Sequence, residues 1–333
     1  MKAIPAHEEA IGSDYAPDVL FGALPVQRIR FEVEFEPGNH LPSYLGSAWR
    51  GLLGWQIKRL VCPFQRRNEC GNCSIASHCP YWKLFEKQSD VPGEMDSPRG
   101  YILYGPGPGT NGLTYLDITL IGNCSNMLPV VVKALVDGQE KGLGARRQGF
   151  RICKIIEIQP GGSTKTLTLY ENGTTDADAP PELSSWLCAS HSKLRSLKAS
   201  FTTPVRLRKS GRYLGTMDWP FFLMSVARRL EALCCLYNDA TPLGRERWLE
   251  LSRSLEKTGV IKDEMEWHEY SRYSKRQRCK VPLGGLVGQA TVRPASKAMA
   301  KWWQAAELVH VGKGSAMGLG KVVIEEGNST KEM

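Results

Sequence analysis

The sequence lacks several features that would assign it to common classes of protein. Its 333 residues contain no apolar run long enough for a transmembrane helix, so no membrane partner is expected. The first residues, MKAIPAHEEAIGSDYAPDV, include acidic side chains and no apolar stretch, which does not resemble a signal peptide. We therefore expect a cytoplasmic protein whose ten cysteines are reduced or bound to metal.

The familiar nucleotide-binding loops are also absent. The glycine-rich stretch near the end of the chain, HVGKGSAMGLGKVVIEE, has Ser315 and Val322 where a Walker loop needs glycine and a hydroxyl residue. Met317 stands where a dinucleotide-binding fingerprint needs its third glycine. The stretch also lies between a predicted helix and a predicted strand, the reverse of a nucleotide cradle. No nucleotide cofactor is therefore expected.

The charge of the chain favours a polyanionic partner. Hydrophobic residues make up 42% and charged residues 23%, as in ordinary globular proteins, but the net charge is +9. A basic surface that serves only solvation is the alternative. Basic residues gather in three clusters, at 144–151, 206–209 and 271–280. Two of these clusters are interleaved with aromatic residues, which favours nucleic acid. The candidate RNA-binding residues in these clusters are Arg146, Arg147, Arg206, Arg208, Arg272, Lys275, Arg276 and Arg278.

Both halves of the chain show the same predicted order of elements. RIRFEVEFE alternates apolar and polar residues as a half-buried strand does, and leads to a helix from about Tyr44 to Val61. In the second half LKASFTTPVRLRK leads to a helix with Asp218 as its predicted N-cap and Pro220 in its first turn. Each half then adds two strands, a helix and, after a glycine-rich loop, a last strand. The order β-α-β-β-α-β, twice, is ferredoxin-like.

The predicted fold class is therefore α+β, with two tandem ferredoxin-like (RRM-like) domains and a cysteine-rich insertion after the first helix. Another α+β topology remains open. The acidic and proline-containing segment NGTTDADAPPELSS indicates a linker. The predicted boundaries are 22–172 for the first domain with its insertion at 62–86, 173–192 for the linker, and 193–328 for the second domain.

The insertion carries cysteines at the spacing of a metal site. Cys62, Cys70, Cys73 and Cys79 follow the pattern C-x7-C-x2-C-x5-C, and four thiolates within reach suit tetrahedral zinc. An iron–sulfur cluster, replacement of one thiolate by His78, and four unrelated thiols are the alternatives. Because no open coordination position is implied, the predicted zinc is structural.

Several segments together resemble one family. They are GSAWRGLLG, the cysteine cluster ending in CPYWKLFE, GLGARRQGFRI with TPVRLR, RYSKRQ with LGGLVGQA, and HVGKGSAMGLGK. This ordered series resembles the CRISPR-associated endoribonucleases of the repeat-associated mysterious protein (RAMP) superfamily, which process precursor CRISPR RNA. The resemblance implies two ferredoxin-like domains that grip CRISPR repeat RNA and mature crRNA.

The resemblance also implies the chemistry. The 2′-hydroxyl attacks the next phosphate and leaves 2′,3′-cyclic phosphate and 5′-hydroxyl ends, without a catalytic metal. The terminal glycine-rich loop would approach the RNA backbone. The residues that this implies are His310, Gly312, Lys313, Gly314, Gly318 and Gly320.

The catalytic residues are less directly implied. In similar enzymes a histidine on or beside the first helix often acts as acid or base, together with a nearby tyrosine or lysine. The first helix of this chain contains no histidine. The candidates are His40 in the preceding loop, Tyr44, Arg50 and Lys58. Catalysis led by histidine and catalysis led by arginine are both open.

Two other functions remain open. A non-catalytic RNA-binding subunit of a CRISPR effector complex is favoured by the missing helix histidine, whereas the C-terminal signature favours the nuclease. In either case other effector-complex subunits are expected partners. A zinc-stabilised protein that binds some other structured RNA is the third alternative.

Overall fold

The computed structural model describes residues 13–36, 38, 41–64, 70–87, 97–170, 174–187, 196–274 and 279–326. Four predicted site residues, His40, Lys275, Arg276 and Arg278, lie outside these ranges, so their roles stay predictions. Within these ranges, no helix combines the length and the apolar character that crossing a bilayer requires.

The described chain alternates helices and antiparallel strands. The helices are α1 (Pro17–Phe21), α2 (Gly46–Val61), α3 (Leu128–Gly138), α4 (Leu183–Leu187), α5 (Trp219–Tyr237), α6 (Arg245–Leu255) and α7 (Lys297–Val309). The strands of the first half are β1 (Val26–Phe35), β2 (Tyr101–Tyr104), β3 (Leu113–Ile121), β4 (Phe150–Ile158) and β5 (Thr164–Thr166). The strands of the second half are β6 (Leu197–Val205), β7 (Arg208–Lys209), β8 (Arg212–Tyr213), β9 (Gly259–His268), β10 (Ser271–Ser274), β11 (Cys279–Pro282), β12 (Gly285–Arg293) and β13 (Val322–Glu326).

The first half is built on a five-stranded sheet of order β2-β3-β1-β4-β5. Apolar residues of β1 from Ile29 to Phe35 alternate with polar ones, so one face is buried and the other carries Arg28, Arg30 and Glu32. The helix α2 covers the buried face, where Trp49 meets Phe150 edge-on at 4.9 Å between ring centroids. The sequence alternation thus determines which face of β1 is buried.

The second half repeats this arrangement with the sheet order β13-β6-β12-β9. The helices α5 and α7 cover its buried face, and the Trp303 ring lies 5.5 Å from Phe222. The predicted cap is confirmed, since the Asp218 carboxylate accepts a hydrogen bond of 3.1 Å from the Phe221 N–H and Pro220 lies in the first turn. The predicted α+β class with antiparallel sheets is confirmed, and both halves follow the β-α-β-β-α-β order. The small hairpins β7–β8 and β10–β11 lie outside the two main sheets.

The two halves share one continuous hydrophobic core. Residues before position 22, which the predicted first domain leaves out, pack on α7 of the second half. The Phe21 ring meets Trp302 edge-on, and Trp302 Nε1 donates a hydrogen bond of 3.1 Å to the Tyr15 carbonyl. The described part of the predicted linker is packed too, since Leu183 and Leu187 of α4 are buried. The division into two domains therefore stays a prediction.

The chain between α7 and β13, residues 310–321, is called the glycine loop from here on. Its glycines adopt left-handed backbone conformations against other parts of the protein. A Cβ on Gly318 (φ +83°) would lie 2.3 Å from the Leu103 carbonyl oxygen of β2. A Cβ on Gly320 (φ +72°) would lie 1.8 Å from the Val311 carbonyl oxygen. The glycines thus allow the loop to pack closely on the first half and on itself.

Replacement of two left-handed glycines by alanine should separate backbone strain from close packing. A Cβ on Gly144 (φ +77°) would point into open space, whereas one on Gly320 would not. We expect Gly144→Ala to lower the free energy of unfolding by roughly 1–2 kcal/mol. Gly320→Ala should lower it by about 1–3 kcal/mol more, because the backbone must also move. Urea unfolding of both variants measures the difference, and equal losses would contradict the packing argument.

Candidate active site and nucleic-acid interface

The start of α2 is pressed against the glycine loop. The Leu45 N–H donates a hydrogen bond of 2.9 Å to the Gly105 carbonyl, which fixes the chain just before the helix. A Cβ on Gly46 would lie 1.9 Å from the Met317 carbonyl oxygen and 2.4 Å from the Tyr44 hydroxyl. Only glycine permits this approach, so the first turn of α2 lies at the junction of the two halves.

Two arginines from different halves lie near this junction. Arg272 of β10 donates a hydrogen bond of 3.4 Å from Nη1 to Ser47 Oγ of α2. Burial lowers the pKa of Arg272, and the nearby positive charge of Arg50 lowers it further. Among the residues that the structure describes, neither guanidinium has a carboxylate partner. Two guanidinium groups that influence each other and lack a carboxylate partner favour the binding of an anion.

Two tyrosines adjoin the arginines. The rings of Tyr44 and Tyr270 meet edge-on at 5.8 Å between centroids. Burial raises the pKa of Tyr44 far above its ordinary value, and its buried hydroxyl has no hydrogen-bond partner within the described ranges. Tyr44 therefore stays a neutral phenol at physiological pH, able to donate a hydrogen bond and unsuited to act as a base.

Lys58 lies on the same helix as Arg50. It sits two helical turns beyond Arg50, and its ammonium lies 5.5 Å from the ring centroid of Tyr81 in the cysteine-rich insertion. Its charge also opposes the effect of burial on the pKa of Cys70. Arg50 lies beside the same insertion, since its guanidinium is 5.6 Å from the centroid of the Phe85 ring. Of the predicted catalytic residues, the structure thus places Arg50 and Lys58 beside the insertion and Tyr44 at the start of α2.

The predicted RNA-gripping arginines differ in exposure. Arg146 and Arg147 are exposed in the tight turn at 144–147, and Arg208 is exposed on the β7–β8 hairpin. Arg206, in contrast, is buried and donates from Nε to the Gly284 carbonyl at 3.1 Å. Its own carbonyl accepts a hydrogen bond of 3.0 Å from the Lys313 N–H. The prediction that Arg206 grips RNA is thus at odds with its burial, and its bonds give it a structural role in holding the glycine loop.

The glycine loop presents less to solvent than the sequence analysis expects. His310 is 5% exposed, and burial, with the charges of Lys321 and other cations, lowers its pKa well below the ordinary value. It is therefore a neutral, buried histidine, which fits poorly with an RNA contact. A Cβ on Gly312 would lie 2.8 Å from the Arg206 carbonyl oxygen, and one on Gly314 would lie 2.8 Å from the Leu319 side chain. Lys313 is the loop residue of the predicted set with an exposed side chain.

A polar pocket between the halves escaped the sequence analysis. Its lining includes Arg28, Tyr104, Asp117, Glu307, His310 and Lys321. Asp117 accepts a bidentate pair of hydrogen bonds from Arg30 at 2.6 and 2.8 Å. The Lys321 ammonium lies 3.5 Å from the Tyr104 ring centroid, and burial lowers its pKa to about 8. In the sequence, the polar residues of β1 were the available signal for this pocket. The other residues that line it come from distant elements, so the sequence alone did not bring them together.

The predicted zinc ligands lie in the described part of the chain. The Cys73 N–H donates a hydrogen bond of 3.2 Å to the Cys70 carbonyl, which closes the turn expected for C-x2-C. Burial raises the pKa of Cys70, and the nearby thiols of Cys62 and Cys79 raise it further. However, the described residues contain no group of three or more His, Cys, Asp or Glu side chains arranged to hold a metal. The four cysteine side chains are thus not arranged as a metal site in the described part of the chain, and zinc stays a prediction.

Comparison with protein families supports the resemblance found in the sequence. Residues 24–182 match the model of an N-terminal domain, AF_1859_N, and residues 199–322 match that of the CRISPR-associated endoribonuclease Cas6. An uncharacterised protein of Archaeoglobus fulgidus is 22% identical over 272 residues, which cover 80% of this chain and 86% of the relative.

Solved structures share the fold. A Cas6 product complex matches with a TM-score of 0.57 and 18% identity, over 90% of this chain and 99% of the other. Thermus thermophilus Cas6 matches with a TM-score of 0.53 and 17% identity, over 91% and 99% of the two chains. A Cas6-RT-Cas1–Cas2 complex matches with a TM-score of 0.55 and 11% identity, over 95% of this chain and 30% of the other. Residues 199–322 thus match the Cas6 model, and the chain shares the fold of Cas6 structures over nine-tenths of its length, so the resemblance to the Cas6 endoribonucleases of the RAMP superfamily is confirmed.

Proposed function

We propose that this protein cleaves CRISPR repeat RNA at a phosphate bound between Arg50 and Arg272. The observation that carries the proposal is that Arg272 reaches across to Ser47 of α2 and lies within the electrostatic influence of Arg50, while neither arginine has a carboxylate partner among the described residues. Holding two like charges together in a partly desolvated place is unfavourable unless an anion joins them. A phosphodiester supplies that charge, and its oxygens match the planar donors of arginine.

The proposed reaction is an internal transfer. The 2′-hydroxyl oxygen bonds to the adjacent phosphorus while its proton leaves to a base, and the bond to the 5′-oxygen breaks as that oxygen takes up a proton. The products are a 2′,3′-cyclic phosphate and a 5′-hydroxyl. Since the nucleophile belongs to the RNA, no water needs activation by a metal, and the proposed reaction is metal-independent.

We assign a different part of this reaction to each residue near the junction. Arg50 and Arg272 stabilise the negative charge that grows on the phosphorane oxygens. We propose that the neutral phenol of Tyr44, whose buried hydroxyl has no hydrogen-bond partner among the described residues, donates a hydrogen bond at the same group. His40 lies in the loop before α2 in the sequence and remains our candidate for proton transfer. The exposed basic residues Arg146, Arg147, Arg208 and Lys313 are proposed to hold the RNA backbone on either side.

The second candidate is an RNA-binding subunit that holds crRNA without cutting it. The observation in its favour is that no histidine lies on α2, while His310 is neutral and buried. Both candidates keep CRISPR repeat RNA or crRNA as the ligand, and other CRISPR effector subunits as further partners. In the first candidate the protein can also stay bound to its product.

A cleavage assay distinguishes the two candidates. Purified protein is incubated in EDTA with a synthetic RNA of its genome's own CRISPR repeat, and the termini of the products are resolved. We expect one cut with cyclic-phosphate and 5′-hydroxyl ends. Tight binding without a cut would contradict the nuclease and leave the RNA-binding subunit.

Substitution of the paired arginines tests the proposed site. Arg50→Ala and Arg272→Ala should each lower the single-turnover rate about 100- to 1000-fold, because each removes charge stabilisation from the transition state. Arg247→Ala, at an exposed position of α6, is the matched control and should cut at the wild-type rate. Equal rates in all three variants would show that the phosphate is bound elsewhere.

We also propose structural zinc in the insertion, supported by the C-x2-C turn and by the effect of the Cys62 and Cys79 thiols on the pKa of Cys70. Elemental analysis of the purified protein should find about one zinc per chain. Cys70→Ser should lose it, while Cys153→Ser, an exposed thiol outside the insertion, should retain it. Iron with visible absorbance would indicate a cluster instead, and no bound metal would show that these thiols are unrelated.

A further inference from the structure

The helix α2 carries an exposed tryptophan that the fold does not explain. Trp55 is 51% exposed, although it stands in the middle of a helix whose other tryptophan, Trp49, is 1% exposed. The guanidinium of Arg59 lies 5.5 Å from the centroid of the Trp55 ring, so a cation covers part of the indole. An indole left open to solvent forgoes the gain from burial, which makes this position a candidate for binding.

The position of Trp55 connects it to the proposed site. Ser47, Gly51 and Trp55 follow one another at intervals of four residues, so they lie along one side of α2. Ser47 contacts Arg272, and a Cβ on Gly51 would meet nothing within 4 Å, so the surface between them is open. Trp55 lies about 12 Å along the helix axis from Ser47. That length matches roughly three to four stacked nucleotides.

The charge of α2 indicates which kind of ligand fits this surface. The helix carries Arg50, Lys58 and Arg59 and no acidic residue. A single-stranded nucleic acid offers phosphates for such cations and a flat base for an exposed indole, and proteins bind single strands with this combination. A protein partner would need acidic groups against the same cations.

We infer that Trp55 stacks on one base of the substrate RNA, roughly three to four nucleotides from the phosphate held by Arg50 and Arg272. Lys58 and Arg59 lie beside the flanking phosphates. The Arg59 guanidinium also covers one face of the indole, and the base stacks on the other face. The inference rests on the proposed function, because it assigns a further subsite for the same RNA. Stacking accepts any base, so Trp55 positions the strand without selecting its sequence.

Binding of an uncleavable RNA tests the subsite. The repeat RNA carries a 2′-deoxy nucleotide before the cut phosphate, which removes the nucleophile and leaves binding alone. Trp55→Ala should weaken binding about tenfold or more, and Trp55→Phe should stay within about threefold of wild type, because an aromatic face remains. Tyr170→Ala is the matched control, since Tyr170 is also 51% exposed and lies beyond β5, and it should bind as wild type does.

A series of RNAs that each lack one base locates the contact. For the wild-type protein, removal of one base close to the cut should weaken binding about tenfold, while for Trp55→Ala the same removal should have little further effect. The salt dependence of binding should be unchanged in Trp55→Ala, because no phosphate contact is lost. Urea unfolding verifies that the exposed substitution leaves the fold intact.

Several results would overturn the inference. Unchanged affinity of Trp55→Ala, or additive losses for every base removed, would show that the indole touches no base. Unchanged RNA affinity with an altered mass in light scattering would assign the surface to a protein contact. If the wild-type protein binds and cuts the repeat RNA while Trp55→Ala does so equally, only this inference fails. If the wild-type protein does not bind that RNA, the proposed function fails as well.

Discussion

The close contact between the glycine loop and the start of α2 is the constraint on which the site depends. At Gly46 and Gly318 the two halves approach so closely that a Cβ would lie within 2.3 Å of a backbone oxygen. Such contacts allow little sliding, because any shift meets backbone and not flexible side-chain ends. The same contact places β10 beside α2. The hydrogen bond from Arg272 to Ser47 therefore depends on this backbone packing.

Electrostatics at this junction depend on what is buried with it. His310 is held neutral by burial and by the cations around it, and Lys321 has a pKa of about 8 for the same main reason. Arg206 uses its guanidinium and its carbonyl within the protein. The glycine loop thus acts mainly by its shape. Arg50 and Arg272, in contrast, have no carboxylate partner among the described residues, and the proposed RNA phosphate would balance their charge.

The proposed function and the further inference describe one continuous surface. In the proposal, Arg50 and Arg272 bind the phosphate that reacts, and the open side of α2 leads from Ser47 to Trp55. Chemistry at the phosphate needs accurate placement of the strand, because a small displacement of the nucleophile lowers the rate steeply. Stacking on Trp55 would hold the strand without a demand for a particular base. The cysteine-rich insertion lies beside the same helix, where Lys58 contacts Tyr81.

Local patterns in the sequence determined the elements. The alternation along β1, the Asp218 cap and the order of strands and helices follow from periodicities that short stretches carry by themselves. The family resemblance followed from ordered motifs. Burial of Arg206 and His310, and the approach of Arg272 to Ser47 and to the charge of Arg50, were decided by tertiary structure. Each depends on residues far apart in the chain, and charge or glycine content does not tell which side of a loop faces protein and which faces solvent.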